Sequence, residues 1–319
     1  MKDMAALGEL IIDWAPKGND KYGYPLMQAQ AGGAPANLLS AFCKYGGSGV
    51  MIGKVGKDAF GDLMLKSLES IGADVSGVIQ DERYFTTMAF VTLDDKGDRS
   101  FSFARKPGAD VAFSFDEIDL SLIDDANIFH FSTLSLTDEP GRTATLKCAE
   151  YAKEKGKLIS YDPNLRLNLW KNEKEAREYM HIGMKYADIV KISDNEVEFM
   201  WGCTPQQGAE KILGEYGAKL VYVTLGPDGV FFANRNGSGF VAAPQGVKAI
   251  DTTGAGDIFG GSAMSQFIKL GIKPEDATPR QLEKICRFAT TAASLSTTEN
   301  GGFTSVPDVE KVERIINGQ

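Results

Sequence analysis

The run Asp251-Thr-Thr-Gly-Ala-Gly-Asp257 stands between Val247-Lys-Ala-Ile250 and the segment Ile258-Phe-Gly-Gly-Ser-Ala-Met-Ser-Gln-Phe-Ile-Lys-Leu270. The first flank is short and β-branched, which predicts a strand. In the second, Ile258, Phe259, Ala263, Met264, Phe267 and Ile268 recur at helical spacing. The whole reads as strand, glycine turn, helix. In that geometry the amides of Gly254, Ala255, Gly256 and Asp257 open the helix and concentrate partial positive charge where an anion can sit. Asp257 has two readings. It complements the helix dipole, or it accepts a proton from an attacking hydroxyl while the amides hold a phosphoryl group. The G-x-x-x-x-G-K-[ST] pattern of a P-loop is missing. So is a dinucleotide fingerprint, since no ribose-binding acid follows about 20 residues on.

Outward from this turn the chain alternates strand and helix. Met4 to Ile12 predicts a first strand with Asp13 at its exit, where an acid either faces a ligand crevice or serves as an ordinary turn residue. Residues 14 to 30 look irregular, with Pro16, Gly18, Gly23 and Pro25. Gly32-Gly33 then leads into a helix bearing Asn37, the paired glycines permitting close approach of the backbone to a ligand. Gly49 to Val55 reads as a buried strand, and Asp58 caps the helix after it. From Thr86 to Arg105 the period becomes strictly alternating around Asp94-Asp-Lys-Gly97, a hairpin signal that would put Phe101, Phe103 and Arg105 on one face. Strands at 128–132, 157–161, 188–192 and 219–224 then alternate with helices ending at Lys155, Tyr186, Trp201 and Tyr216. This predicts a doubly wound, mainly parallel α/β sheet flanked by helices.

Four polar motifs follow predicted strands: Asp162-Pro-Asn-Leu-Arg166, Ser193-Asp-Asn-Glu196, Thr224-Leu-Gly-Pro-Asp-Gly229 and the Asp251–Asp257 run. Strand ends of a parallel sheet share one edge, so these motifs converge on one crevice. Arg166 suits bidentate contact with phosphate or a hydroxyl pair, or else a surface ion pair. Glu196 opens a helix and reads equally as a cap partner. Thr224, Gly226 and Gly229 form either a tight turn or a loop over a nucleotide.

With 319 residues, 43% hydrophobic and 24% charged, the chain has the composition of a single large α/β domain. A net charge of −9 argues against nucleic acid or an anionic membrane as the principal partner. Cys43, Cys148, Cys203 and Cys286 never form C-x-x-C and read as reduced. His130 and His181 lack metal-ligand spacing. No apolar stretch reaches about 18 residues, so a cytoplasmic location is expected.

The run DTTGAGD resembles the second signature of the ribokinase-like (PfkB) sugar kinases, and Gly32-Gly33-Ala-Pro-Ala-Asn37 resembles their first. GELIID, IGKVGKDAFG, SFARKPGAD, SYDPNLRLNLW and VTLGPDG are similar to the bacterial fructokinase branch, so the resemblance spans nearly the whole chain. It implies a ribokinase-like fold with a small β-sheet lid formed by about 13–30 and 85–106. It implies an ATP-dependent sugar kinase with Asp257 as base and Gly254, Ala255 and Gly256 as the anion turn. Asp13, Gly32, Gly33, Asn37, Arg105 and Arg166 would bind the sugar. Lys191, Ser193, Thr224, Gly226, Gly229 and Asn300 would bind the nucleotide. Glu196 would help place magnesium, although Ser193 stands where the family often has Asn. Asp251 and Thr253, with the tail from Thr298 to Pro307, would meet a potassium ion; the alternative is that Asp251 only bonds turn amides. The implied partners are the sugar and MgATP, with a homodimer through the lid as the candidate assembly. Fructose heads the expected substrates, ahead of ribose, 2-keto-3-deoxygluconate and ribosides. A non-catalytic sugar or nucleotide sensor on the same fold is the competing class, and Asp257 with its intact glycine turn argues against it. A nicotinamide oxidoreductase lacks its fingerprint.

Overall fold

The computed structural model describes residues 1–93, 99–106 and 108–318. The chain starts with β1 (Lys2–Leu7), whose last four residues are fully buried because both faces of the strand are covered. It leaves the large sheet at Gly8 and enters a second one as β2 (Ile11–Asn19), which turns back as β3 (Pro25–Gly32). Asp13 does not end the first strand but sits third in β2, and residues 14 to 30 are not irregular but form most of a β2/β3 pair. The proline and glycines that suggested a loop are tolerated because β2 pairs with a second neighbour only from Ile11 to Trp14 and shifts register between Pro16 and Asn19.

Helix α1 (Ala34–Lys44), β4 (Gly49–Gly56), α2 (Ala59–Ser70) and β5 (Asp74–Asp81) follow. The Asp58 carboxylate caps α2 by accepting from the amides of Phe60 and Gly61. Strands β6 (Thr87–Leu93) and β7 (Arg99–Ala104) are the predicted antiparallel hairpin; its Asp94–Gly97 turn and the facing of Phe101 lie outside the described residues. With β2 and β3 they make a four-stranded sheet of order β3-β2-β6-β7.

The remaining units are α3 (Ser121–Asp124), β8 (Ala126–Ser132), α4 (Gly141–Glu154), β9 (Leu158–Asp162), α5 (Glu173–Met184), β10 (Ile189–Ser193), α6 (Asp194–Trp201), α7 (Pro205–Tyr216) and β11 (Leu220–Thr224). Then come β12 (Gly229–Asn234), β13 (Gly237–Ala242), α8 (Ala255–Leu270), α9 (Pro279–Ser296) and α10 (Val309–Ile316). The large sheet has nine described strands in the order β13-β12-β11-β10-β9-β8-β1-β4-β5 and is parallel except where β12 runs against its neighbours. The order reverses at β1, which lies between β4 and β8. That is the switch point where a crevice opens beyond the strand ends.

Alternate residues of each central strand enter different cores. Ala5, Leu7, Phe129, Phe131, Ile159, Tyr161, Val190 and Ile192 pack against α4 to α7. Met4, Ala6, Ile128 and Ile189 pack with α1, α2, α8 and α9 on the other face. Each fully buried large side chain contributes about 1.5–3 kcal/mol, so truncating Leu7 or Phe131 would loosen the layer that holds the strand ends in place.

The predicted strand at Val247–Ile250 is absent. Ile250 is 64% exposed, and the amides of Ile250 and Asp251 donate to the Thr297 carbonyl at the end of α9 rather than to a strand ladder. The Asp251–Asp257 turn therefore reaches the crevice on a loop. No described helix is long and apolar enough to cross a membrane.

Candidate active site

Helix α8 begins at Ala255 after Gly254, which has φ 74° and forms the N-cap. A side chain there would be strained, and a Cβ would lie 3.1 Å from Asn37 Nδ2. Of the four amides expected to face an anion, that of Ala255 donates to the Thr252 carbonyl. Those of Gly256 and Asp257 remain in the first turn, where no intrahelical acceptor exists. Gly261 lets α8 press against α1, since a Cβ there would meet the Leu38 carbonyl oxygen at 2.0 Å. This contact brings Asn37 to Asp257, and its Nδ2 donates to Asp257 Oδ2 at 3.0 Å. Asn37 Oδ1 is buried with no hydrogen-bond partner among the described residues.

Two cavities meet at this turn. One, of about 300 Å³, is lined by Glu9, Asp13, Asn37, Asn164, Arg166, Thr253, Gly254 and Asp257 as its polar wall, with Ile11, Phe103 and Leu134 as apolar surface. The other, of about 540 Å³, is lined by Thr224, Gly226, Gly229, Ala255 and Gly256 together with Pro227, Pro244, Val247, Ala249, Phe259 and Ala293. Thr252 lines both. A polar, hydroxyl-matching chamber thus adjoins a larger apolar one suited to a flat ring.

Burial pushes the Asp257 carboxyl from its ordinary 3.8 up to about 7; Asp162 adds like-charge repulsion, while Lys191, Asn37 and Arg166 oppose it. Burial likewise lifts Asp13 to about 7, against the pull of Arg166 and with repulsion from Asp251 and Asp257. Burial also lifts Glu9 to about 7 although Ala34 donates to it.

The paired glycines make close contacts within the protein. A Cβ at Gly32 would strike Asp13 Oδ2 at 2.1 Å, and one at Gly33, where φ is 115°, would strike the Glu9 carbonyl oxygen at 2.2 Å. Of the two, only Gly33 reaches the cavity wall. Glu9, which sequence reading passed over, supplies the cap that Gly33 cannot: its Oε1 accepts from the Ala34 amide at 2.7 Å, and its Oε2 accepts from Ser132 at 3.2 Å.

Arg105 does not line the cavity. Its guanidinium is spent on Asp110 at 2.7–2.8 Å, on Thr137 and on the Leu134 carbonyl, so it braces the wall that Leu134 provides. Arg166 does line it, carried on a loop after β9 in which Asn164 has φ 43° and donates to Asp162. Glu196 is committed locally: Oε1 accepts from Leu165 and Oε2 from Ser193, completing a capping box with the Ser193 hydroxyl. Among the described residues no group of three His, Cys, Asp or Glu side chains could hold a metal. Asp251 bonds the amides of Thr253 at 2.8 Å and Gly301 at 3.1 Å, tying the turn to the 298–307 tail. Asn300 is exposed and lies off both cavity walls. Thr290, unnoticed in the sequence, presents a buried hydroxyl without a partner among the described residues at the wall of the larger cavity.

The family model for pfkB family carbohydrate kinase matches residues 1–309. Over 319 residues the chain is 38% identical to Fructokinase-1 of Zea mays, covering 98% of this chain and 97% of that one. Its fold is similar to the crystal structure of fructokinase with bound ATP from Xylella fastidiosa, with TM-score 0.88, 29% identity and coverage of 100% and 99%. A fructokinase from Vibrio cholerae O395 in a form with fructose, ADP and calcium ion bound is also similar, with TM-score 0.85, 29% identity and coverage of 98% and 99%.

Proposed function

The chain belongs to the pfkB family of carbohydrate kinases, and we propose that it transfers the γ-phosphoryl group of ATP to the primary hydroxyl of D-fructose, giving fructose 6-phosphate and ADP. One observation carries the reading: Asp257 lines the polar cavity, while Ala255 and Gly256 just before it line the apolar one. A hydroxyl and a phosphoryl group placed in the two chambers meet across this single turn.

Each residue then has a task. Asp13 accepts sugar hydroxyls, and Asn37, Asn164 and Arg166 complete that wall. Asp257, titrating near neutrality, takes the hydroxyl proton as the oxygen attacks. The first-turn amides of α8 and the Arg166 guanidinium face the charge that develops on the phosphoryl oxygens. Ile11, Asp13 and Phe103 come from the small sheet, which acts as a lid that excludes water from the transfer. Thr224, Gly226 and Gly229 form the floor under the nucleotide, whose base lies against Pro227, Pro244 and Phe259.

Magnesium would neutralise the phosphates. Both Glu196 oxygens already accept backbone amides, so Glu196 would help place the ion only through water. Exposed Tyr22 and Tyr24 in the turn between β2 and β3, with Leu26 on β3, support pairing of two copies through the edge of the small sheet, which sedimentation can test.

The test of function is ADP release from MgATP against fructose, ribose, 2-keto-3-deoxygluconate and ribosides, compared as kcat/KM. Fructose should lead. Another leading sugar would overturn the substrate while leaving the kinase, and no turnover with any sugar would favour a sensor.

A further inference from the structure

A row of polar side chains crosses the face of the large sheet that α1 and α8 cover, a face otherwise apolar. His130 on β8 bonds Ser160 on β9 at 3.0 Å. One step nearer the strand ends, Asp162 on β9 meets Lys191 on β10 with Nζ and carboxylate oxygen 2.8 Å apart and side chains 3% and 12% exposed. The pairing of Ser160 with Ile189 and Tyr161 with Val190 places these two side by side. A salt bridge removed from water this far gives little stability in return for its desolvation, so its location must be explained by what it adjoins.

It adjoins the first turn of α8. A Cβ at Gly260 would lie 3.9 Å from Lys191 Cδ, and a Cβ at Gly256 only 3.0 Å from Nζ. The two glycines, one helical turn apart, form a groove along which the lysine stem runs until its ammonium stands under the turn that carries Asp257. Burial works against charge on Lys191, yet Asp162, Glu196 and Asp257 together keep it cationic. His130 beside it is held neutral, by burial first and then by repulsion from Lys191.

We propose that Asp162 is a positioning residue for phosphoryl transfer, acting through Lys191: it holds the ammonium in the glycine groove of α8, and the opposed charges of the pair set how readily Asp257 takes and releases the substrate proton. This deepens the base role of Asp257 and rests on it. The charged or titratable groups that act on Asp257 or share its cavity are Glu9 from the turn after β1, Asp13 from β2, Asp162 from β9, Arg166 from the loop after β9 and Lys191 from β10, with uncharged Asn37 from α1. Asp162 and Lys191 act on it with opposite sign. Removing one should therefore move its titration opposite to removing the other. As a sugar proton is lost to Asp257 and negative charge gathers at the amides, the ammonium is already aimed at both.

The experiment is the pH dependence of kcat, from pH 5 to 9 at saturating fructose and MgATP, for Asp162→Asn, Lys191→Gln and the double variant. Asparagine keeps the acceptor that Asn164 uses. Asp162→Asn should move the acid limb about one pH unit lower and Lys191→Gln about one unit higher, with the double variant near the parent. Fructose KM should change far less than kcat. Unmoved limbs, or limbs moved in the same direction, overturn the proposal. If one variant does not fold, the sign of the other alone decides. Asp257→Asn separates the two ideas: if it stays active the base role falls, and if it is inactive while the limbs stand still, only the pair's role falls.

Discussion

Replacing Asp257 with asparagine should make the protein more stable and nearly inactive, with a pH dependence that follows from burial. The carboxyl titrates at about 7 in the fold against an ordinary 3.8, so the native state binds the proton more tightly than the unfolded chain does. A group of this kind stabilises fully below its unfolded value and loses that contribution as pH rises through the folded one. Taking 1.36 kcal/mol per pH unit, the charged form costs about 2 kcal/mol at pH 5 and about 4 kcal/mol at pH 8. Those figures are ceilings, because relaxation around a buried charge lowers its cost, and roughly half of each is expected. Asparagine carries no such cost and still accepts from Asn37. Urea midpoints of the parent and Asp257→Asn at pH 5, 6, 7 and 8, without sugar or nucleotide, give the difference directly. It should grow from pH 5 to about pH 7 and level off above it, while kcat at pH 8 is lower by about 10²–10⁴-fold. A difference that is flat with pH, or a variant less stable at pH 8, would refute the buried-carboxylate reasoning. Activity within a few fold of the parent would remove Asp257 from the base role.

Arg105→Ala should act on stability rather than on the sugar: it strands the fully buried Asp110 and costs about 3–5 kcal/mol in urea unfolding. Unchanged stability with a raised fructose KM would return Arg105 to the substrate. Exchanging potassium for tetramethylammonium at constant ionic strength should lower kcat severalfold and leave fructose KM nearly unchanged, as expected if a cation near Asp251 stiffens the anion turn. A rate that does not change would mean that the bonds from Asp251 to Thr253 and Gly301 already suffice.

Much of this protein is written locally. The contiguous apolar runs of the central strands, the helical period after Asp257 and the cap at Asp58 are decided within a few residues, because strand and helix periodicity depend on near neighbours. The motifs at 162–166, 193–196 and 224–229 could be placed on one edge for the same reason, since strand ends of a parallel sheet share it. Local signals failed where the partner is remote. Residues 14 to 30 look broken by proline and glycine, yet most of them pair as β2 with β3, and the pair is anchored where Ile11 to Trp14 also meet β6. Val247 to Ile250 looks like a strand, yet finds no ladder and gives its backbone to the end of α9. Arg105 reads as a ligand for sugar until Asp110, Thr137 and Leu134 are seen to occupy it.

The chemistry of the site shows the same division. The sequence alone determined a glycine turn that opens a helix and ends in Asp257, and the fold class that carries it, because such a turn presents its own first amides to an anion. Only the tertiary structure decided what surrounds that carboxylate: Glu9 capping α1, Asn37 brought over by the α1/α8 contact, and Asp162 with Lys191 beneath the helix. Those residues lie 66 to 248 positions from Asp257 in the chain by their numbering. Their effect on Asp257 depends on distance and on exclusion of water, and both are properties of packing that no local run of residues specifies.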